Sequence, residues 1–139
     1  MEHFMNSPKK YSDELIGRLH IIQKLQKKLV EEFGTDGYNA FVFGSFLTER
    51  FKLGISDIDI AVYTENVSHY IEIADFILDF FKEYGIKVDI FYVNTQIVAP
   101  IFYAPLSSPV KMTSYYPENL QLFCDKCQKS YEKCLEAVV

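Results

Sequence analysis

From Ser12 to Phe33 apolar residues recur at intervals of three and four, at Leu15, Ile16, Leu19, Ile22, Leu25, Leu29, Val30 and Phe33. That period predicts an amphipathic helix, with Ser12 as its N-cap, Asp13 and Glu14 in the first turn and Lys27 and Lys28 toward the negative end of its dipole. Gly34 and Gly37 break the pattern. Tyr38 to Phe43 is short, β-prone and bounded by turn residues, which predicts a first strand ending at Gly44-Ser45. A short helix is expected from Phe46 to Lys52, stopped by Gly54.

The period then changes to two. Ile58, Ile60 and Val62 alternate with Asp57, Asp59, Ala61 and Tyr63, which predicts a strand with an acidic edge turned away from its core. Ser68 is the expected cap of a second helix whose buried stripe is Ile71, Ala74, Ile77, Leu78 and Phe81, with Gly85 closing it. A third strand follows from about Ile86 to Val93, with Val88, Ile90 and Tyr92 opposing Lys87, Asp89 and Phe91. The run from Ile97 to Tyr103 fits a fourth strand, a short helix or a docking segment equally. Residues 105 to 117 hold three prolines and three serines and read as a loop. Pro117 opens a last expected helix with Leu120, Phe123, Cys127, Tyr131, Cys134, Leu135 and Val138 as its stripe. Strands interleaved with helices make this an α/β chain, and its 139 residues suggest one domain, 1–139.

Composition narrows the classes. Apolar residues at 49% and charged residues at 24% suit a packed globule and not intrinsic disorder. The net charge of −5 argues against a broad nucleic-acid-binding face. The longest apolar candidate for a membrane span, Ile97 to Leu106, is interrupted by Pro100 and Pro105 and falls short of the roughly 20 residues a span needs. Met1 to Phe4 lack a secretory layout, and three cysteines are few and odd in number, so the expected location is a reducing cytoplasm. Twelve Phe and ten Tyr, without a Trp, are a surplus that suits a Phe-rich core or a partner surface around Phe76, Phe80, Phe81, Phe91, Phe102, Tyr103, Tyr115 and Tyr116.

Chemistry concentrates in three places. Asp57 and Asp59, two apart on a strand, have Cα atoms roughly 6.6 Å apart on one face. Two such anions repel unless a cation lies between them, and the nearest basic residues in sequence are Arg50 and Lys52, so a hard, oxygen-preferring divalent ion fits best. Asp89 joins the same face if its strand neighbours theirs, and three carboxylates suffice for two magnesium ions about 4 Å apart. Gly44-Ser45, at a strand-to-helix junction, offers close backbone approach, a hydroxyl and N–H groups to a phosphate.

These residues, in FVFGSFLTERFKLGISDIDIAVYTE followed by IKVDIFYV, resemble the nucleotidyltransferase fold of the DNA polymerase beta superfamily, and within it the minimal nucleotidyltransferases. The resemblance runs from Tyr38 to Asn94, a catalytic core of about 38–94, with the last helix, about 117–139, as an extension. It implies a mixed sheet flanked by helices and transfer of a nucleoside monophosphate, AMP from ATP, to a hydroxyl. By position, Gly44 and Ser45 would hold the triphosphate, Asp57 and Asp59 would bind both Mg2+ ions, and Asp89 would bind one and help deprotonate the acceptor. Many members carry a small residue, an arginine and a glycine where this chain has Leu47, Thr48 and Glu49, which leaves Arg50 or Lys52 to contact the triphosphate. Short relatives commonly pair with a helical HEPN-domain toxin, which the transferase adenylylates as antitoxin. The length left outside the core suggests an acceptor carried by another protein. Nucleotidylation of a small molecule such as an aminoglycoside, and a catalytically silent binding subunit, are the alternatives. The number of subunits, a homo-oligomer included, is open.

Other candidates carry less. Cys124, Cys127 and Cys134 suggest zinc by spacing, but two fall on the expected apolar stripe and no fourth ligand is near, so buried thiols are the simpler expectation. His3, His20 and His69 have no ligand spacing, and Lys24, Lys27 and Lys28 form the wet face of the first helix.

Overall fold

The computed structural model describes residues 12–138; His3 and the stretch weighed as a leader lie outside them. Helix α1, Asp13–Phe33, starts as expected, with the Leu15 amide donating to the Ser12 hydroxyl. Strands β1 (Tyr38–Phe43), β2 (Ile58–Thr64) and β3 (Val88–Tyr92) form one sheet in that order, β1 antiparallel to β2 and β2 parallel to β3. Between β2 and β3 runs helix α2, Val67–Lys82. Its N-cap is Asn66, whose side chain accepts from the Ser68 amide, and not Ser68 itself. The sheet is mixed and flanked by helices, as the resemblance implied.

Strand periodicity gives the sheet two differently covered faces. Tyr38, Ala40 and Val42 of β1 and Ile58, Ile60 and Val62 of β2 pack with Ile22, Leu25 and Leu29 of α1 and Ile73, Ile77 and Phe81 of α2. Burial of this many full-sized apolar side chains is the main stabilising contribution of that face. Exposed Ile71 and Leu78 do not belong to the α2 stripe, in which Ile73 takes part instead. The opposite face was expected to be wet. It is not: Phe41, Ala61, Tyr63 and Val93 lie in a second core with Phe102, Leu106, Leu120, Phe123, Cys124 and Cys127. A central strand covered on both sides is apolar in both phases, which the alternation beginning at Asp57 and Asp59 conceals.

The second cover comes from the segment whose pattern was ambiguous. Residues Pro100–Phe102 form a 3₁₀ turn, Tyr103–Leu106 a short helix α3, and Glu118–Ala137 the last helix, α4. The α4 stripe is buried only in its first half; Tyr131, Leu135 and Val138 are exposed, as is Cys134. The stretch expected to be a loop also protects the free edge of β1. Val42 N–H donates to Val110 O (3.0 Å) and Met112 N–H to Ala40 O (2.9 Å), while the buried Asn39 amide group donates to Thr113 O (3.1 Å) and Tyr115 O (2.7 Å). An edge strand satisfied in this way is closed to further pairing. None of the eight aromatics set apart as a partner surface is exposed: Phe81 and Phe102 are buried and the others partly so. Among the described residues the most exposed large apolar side chains are aliphatic, Leu53, Ile55 and Ile101 among them.

Candidate functional site

Sheet register brings the carboxylates together. Asp59 on the central strand is directly opposite Phe43 of β1 on one side and Asp89 of β3 on the other, and Asp57 lies just before the same strand. Asp57 and Asp89 are exposed and Asp59 is partly buried. Burial raises the Asp59 carboxyl above its ordinary value, and the negative charges of Asp89 and then Asp57 push it further the same way. Among the described residues no lysine or arginine pairs with any of the three. An all-oxygen set with mutually repelling charges and no internal counter-ion fits a hard divalent cation. The three carboxylates are close enough for Asp89 and Asp57 to act on Asp59 without being closed around one point: among the described residues no group of three His, Cys, Asp or Glu forms a ready-made ligand set. The same holds for the cysteines, of which Cys124 and Cys127 are buried free thiols.

Gly44 completes the approach. Its φ of 79° is left-handed, and a Cβ there would overlap Asp59 Oδ2 and stand 3.2 Å from Asp59 Cγ. Glycine is therefore required twice over, for its conformation and for the carboxylate against its Cα.

No helix follows. Residues 46–50 form turns and a bend, followed by irregular backbone at 51 and 52, and the reason is visible in the hydrogen bonds. A helix would give Phe46 O to the Arg50 amide, but that amide donates to Thr48 Oγ1 (3.1 Å), and Phe46 O accepts Arg18 Nε (2.5 Å). Thr48 O accepts Arg18 Nη2 (2.7 Å), and Ser45 O accepts both Thr48 N–H (2.9 Å) and Thr48 Oγ1 (2.8 Å). The carbonyls are thus occupied, whereas the amides of Ser45, Phe46 and Leu47 and the Ser45 hydroxyl have no acceptor or donor among the described residues. Consecutive open N–H groups beside a left-handed glycine make an anion cradle, even without a helix terminus. Arg50 is exposed, with no ion pair among the described residues.

The Leu47-Thr48-Glu49 run has its own local functions. Leu47 packs on the first core, Thr48 staples the turn, and Glu49 Oε2 accepts the Ser12 amide (3.3 Å) at the start of α1. Beside the cradle opens a cavity of about 1010 Å³, lined by Phe43, Gly44, Thr48, Val110, Ile101 and Tyr131 among others, with no acidic residue in its wall.

Residues 22–112 match the family model described as a nucleotidyltransferase domain. The chain belongs to that family. The resemblance carried by Gly44-Ser45, Asp57, Asp59 and Asp89 is borne out, and this nucleotidyltransferase domain extends past both ends of the 38–94 core. Its fold is similar to a crystal structure of a mutant MntA–HpeT toxin–antitoxin complex (TM-score 0.51, 16% identity, 84% of this chain and 90% of that one). Two further similar structures are an MntA–HepT toxin–antitoxin complex (TM-score 0.47, 17%, 86% and 91%) and a tri-AMPylated Shewanella oneidensis HEPN toxin with MNT antitoxin (TM-score 0.48, 18%, 86% and 91%). No curated protein matches the chain in sequence. Among the described residues no helix is long and apolar enough to cross a membrane.

Sequence reasoning missed Arg18, which lies just before the matched residues and binds the Phe46 and Thr48 carbonyls. A signal was present, because Arg18 occupies the 15-18-22-25-29 repeat, whose other members are buried leucines and an isoleucine, and it is one of only two arginines in the chain.

Proposed function

We propose that the chain is a magnesium-dependent adenylyltransferase that moves AMP from ATP to a hydroxyl on a partner protein, acting as antitoxin to a HEPN-domain toxin. The observation that carries the site assignment is the Asp59 carboxylate lodged against Gly44 Cα, with Asp89 and Asp57 charges beside it and the open amides of Ser45, Phe46 and Leu47 next along the chain. Gly44 and Ser45 hold the β- and γ-phosphates, and Arg50 adds a cation at the rim. Asp57 and Asp59 would be the ligands of two Mg2+ ions and Asp89 of one; bound, these ions would neutralise charge on the phosphates and acidify the acceptor hydroxyl. Asp89 accepts the acceptor's proton as the hydroxyl oxygen bonds to the α-phosphorus; the bond from that phosphorus to the bridging oxygen breaks, and pyrophosphate leaves. An ordinary Asp is a weak base for a hydroxyl, so this step is metal-dependent.

A protein acceptor is favoured over an aminoglycoside by the cavity beside Gly44, whose wall is apolar and without a carboxylate to meet a polycation. The toxin–antitoxin setting rests on the resemblance and on the similar fold of the MntA–HpeT complex. The test is to incubate the chain with ATP, Mg2+ and the product of a neighbouring HEPN-type reading frame. An adenylyl group on a partner tyrosine, absent with Asp57→Asn, is the expected result. Tight binding without modification overturns the catalytic assignment, and turnover of an aminoglycoside without partner overturns the acceptor.

A further inference from the structure

The geometry points to Arg18 as the positioning residue of the triphosphate cradle, acting through the carbonyls of Phe46 and Thr48. This inference rests on the nucleotidyltransferase reading of Gly44-Ser45.

Arg18 is on α1, 28 and 30 positions in sequence from the two carbonyls it binds. Its guanidinium also lies over the rings of Phe46 (5.8 Å to the centroid) and Phe51 (5.0 Å), which are themselves buried and 4.9 Å apart. One planar cation therefore fixes two carbonyls by charge-assisted bonds and two rings by cation–π contact. The consequence for the loop is specific. With Phe46 O and Thr48 O bound by Arg18, and Thr48 O also accepting the Phe51 amide (3.5 Å), the loop backbone is anchored to α1 in its turn conformation. On that anchored backbone the amides of Ser45, Phe46 and Leu47 have no acceptor among the described residues and are open to an anion. Lysine cannot replace this arrangement, because a point-like ammonium has neither the fork nor the flat face. The chain lacks an arginine at positions 47 to 49, and the guanidinium that binds this loop comes from α1.

The test compares the full chain with Arg18→Met and Arg18→Lys, using ATP with Mg2+ as the ligand in calorimetry and hydrogen exchange of the nucleotide-free protein as the structural readout. Expected for Arg18→Met is ATP binding weaker by about tenfold or more, faster exchange at the Thr48 and Phe51 amides, and unchanged exchange in Ile58–Thr64. Arg18→Lys, which keeps the charge and secures the comparison if the methionine variant folds poorly, recovers less than half of the lost affinity. With partner protein present, KM for ATP rises while KM for the partner holds. Unchanged ATP affinity in Arg18→Met overturns the inference. So does lost affinity with unaltered loop exchange, which makes Arg18 a direct ligand, or full rescue by lysine, which makes charge alone sufficient. Failure of the unaltered chain to bind ATP overturns the underlying reading instead, and the exchange data then still decide whether Arg18 holds the loop.

Discussion

The two faces of the sheet are built from the same three strands and reach opposite ends. One face is sealed along its length by α1 and α2, through Ile22, Leu25 and Leu29 and through Ile73, Ile77 and Phe81. The other is sealed by α4 and the 100–106 turns over Phe41, Ala61 and Tyr63, and left open where the same phase reaches Asp59 and Asp89. A strand alternates whether or not its second face is covered, so the alternation does not say which. The proposed site occupies a stretch of the doubly covered sheet where the cover stops, and there the charges of Asp89 and Asp57 act against that of Asp59.

The largest test of that contrast is Asp59→Asn. Activity is expected to fall by three orders of magnitude or more, about 4 kcal/mol or more on the barrier, because the carboxylate shared by both proposed metal sites is gone. Stability of the metal-free protein at neutral pH is expected to rise, since a partly buried charge repelled by Asp89 and Asp57 has been removed. Loss of both activity and stability, in a kinetic assay and a denaturant titration, would make Asp59 a structural residue and dissolve the distinction between the faces.

Next in size are paired truncations in the two cores. Ile77→Ala on the sealed face and Leu120→Ala on the other are each expected to cost about 2–5 kcal/mol, both side chains being fully buried. Equal losses in urea unfolding mean that the second face is as much a core as the first; a loss under about 1 kcal/mol at Leu120 means that α4 is a loosely docked cover.

These two cores differ in how legible they are in the sequence. The sealed face is legible because long helices announce themselves by period: Leu15 to Leu29 and Ala74 to Phe81 follow from the spacing of apolar residues alone. The second cover is assembled from Phe102, Leu106 and half of α4, joined by tight turns with no period to detect. The carboxylates and Gly44 are legible because strand geometry fixes a two-residue spacing and a left-handed turn needs glycine. The loop after Ser45 is not. Its helix-like composition loses to tertiary hydrogen bonds from Arg18, 28 and 30 positions away, and to local ones from Thr48, both specific to side chains. The far end of α4 shows the reverse: Tyr131, Leu135 and Val138 keep an apolar period yet stay exposed, Tyr131 with only its ring contact to Tyr103 (5.3 Å between centroids).

Gly44→Ala sharpens the boundary between cover and site. The left-handed φ costs about 1–3 kcal/mol for a residue with a Cβ, and the methyl must displace the Asp59 carboxylate. Activity is expected to fall more than stability, with ATP affinity in calorimetry as the readout. An unaffected affinity would separate the cradle from the carboxylates.

The smallest effect lies wholly within the sealed face and depends on pH. The Tyr38 hydroxyl donates to Gly34 O (2.8 Å) in a fully buried position, and burial pushes its pKa up from 10.0 to about 12. At neutral pH, Tyr38→Phe is expected to cost about 1 kcal/mol, the net worth of one hydrogen bond. The folded protein holds the phenolic proton more tightly than the unfolded chain, so this contribution is complete below pH 10 and is lost as pH rises toward 12. At most about 3 kcal/mol disappears over that interval, at about 1.36 kcal/mol for each tenfold difference in proton affinity between the folded and unfolded chains. The phenylalanine variant has no proton to lose and is expected to become the more stable of the two near pH 12. Parallel alkaline unfolding curves for the two proteins would mean that water reaches Tyr38 and that the first face is less sealed than its packing implies.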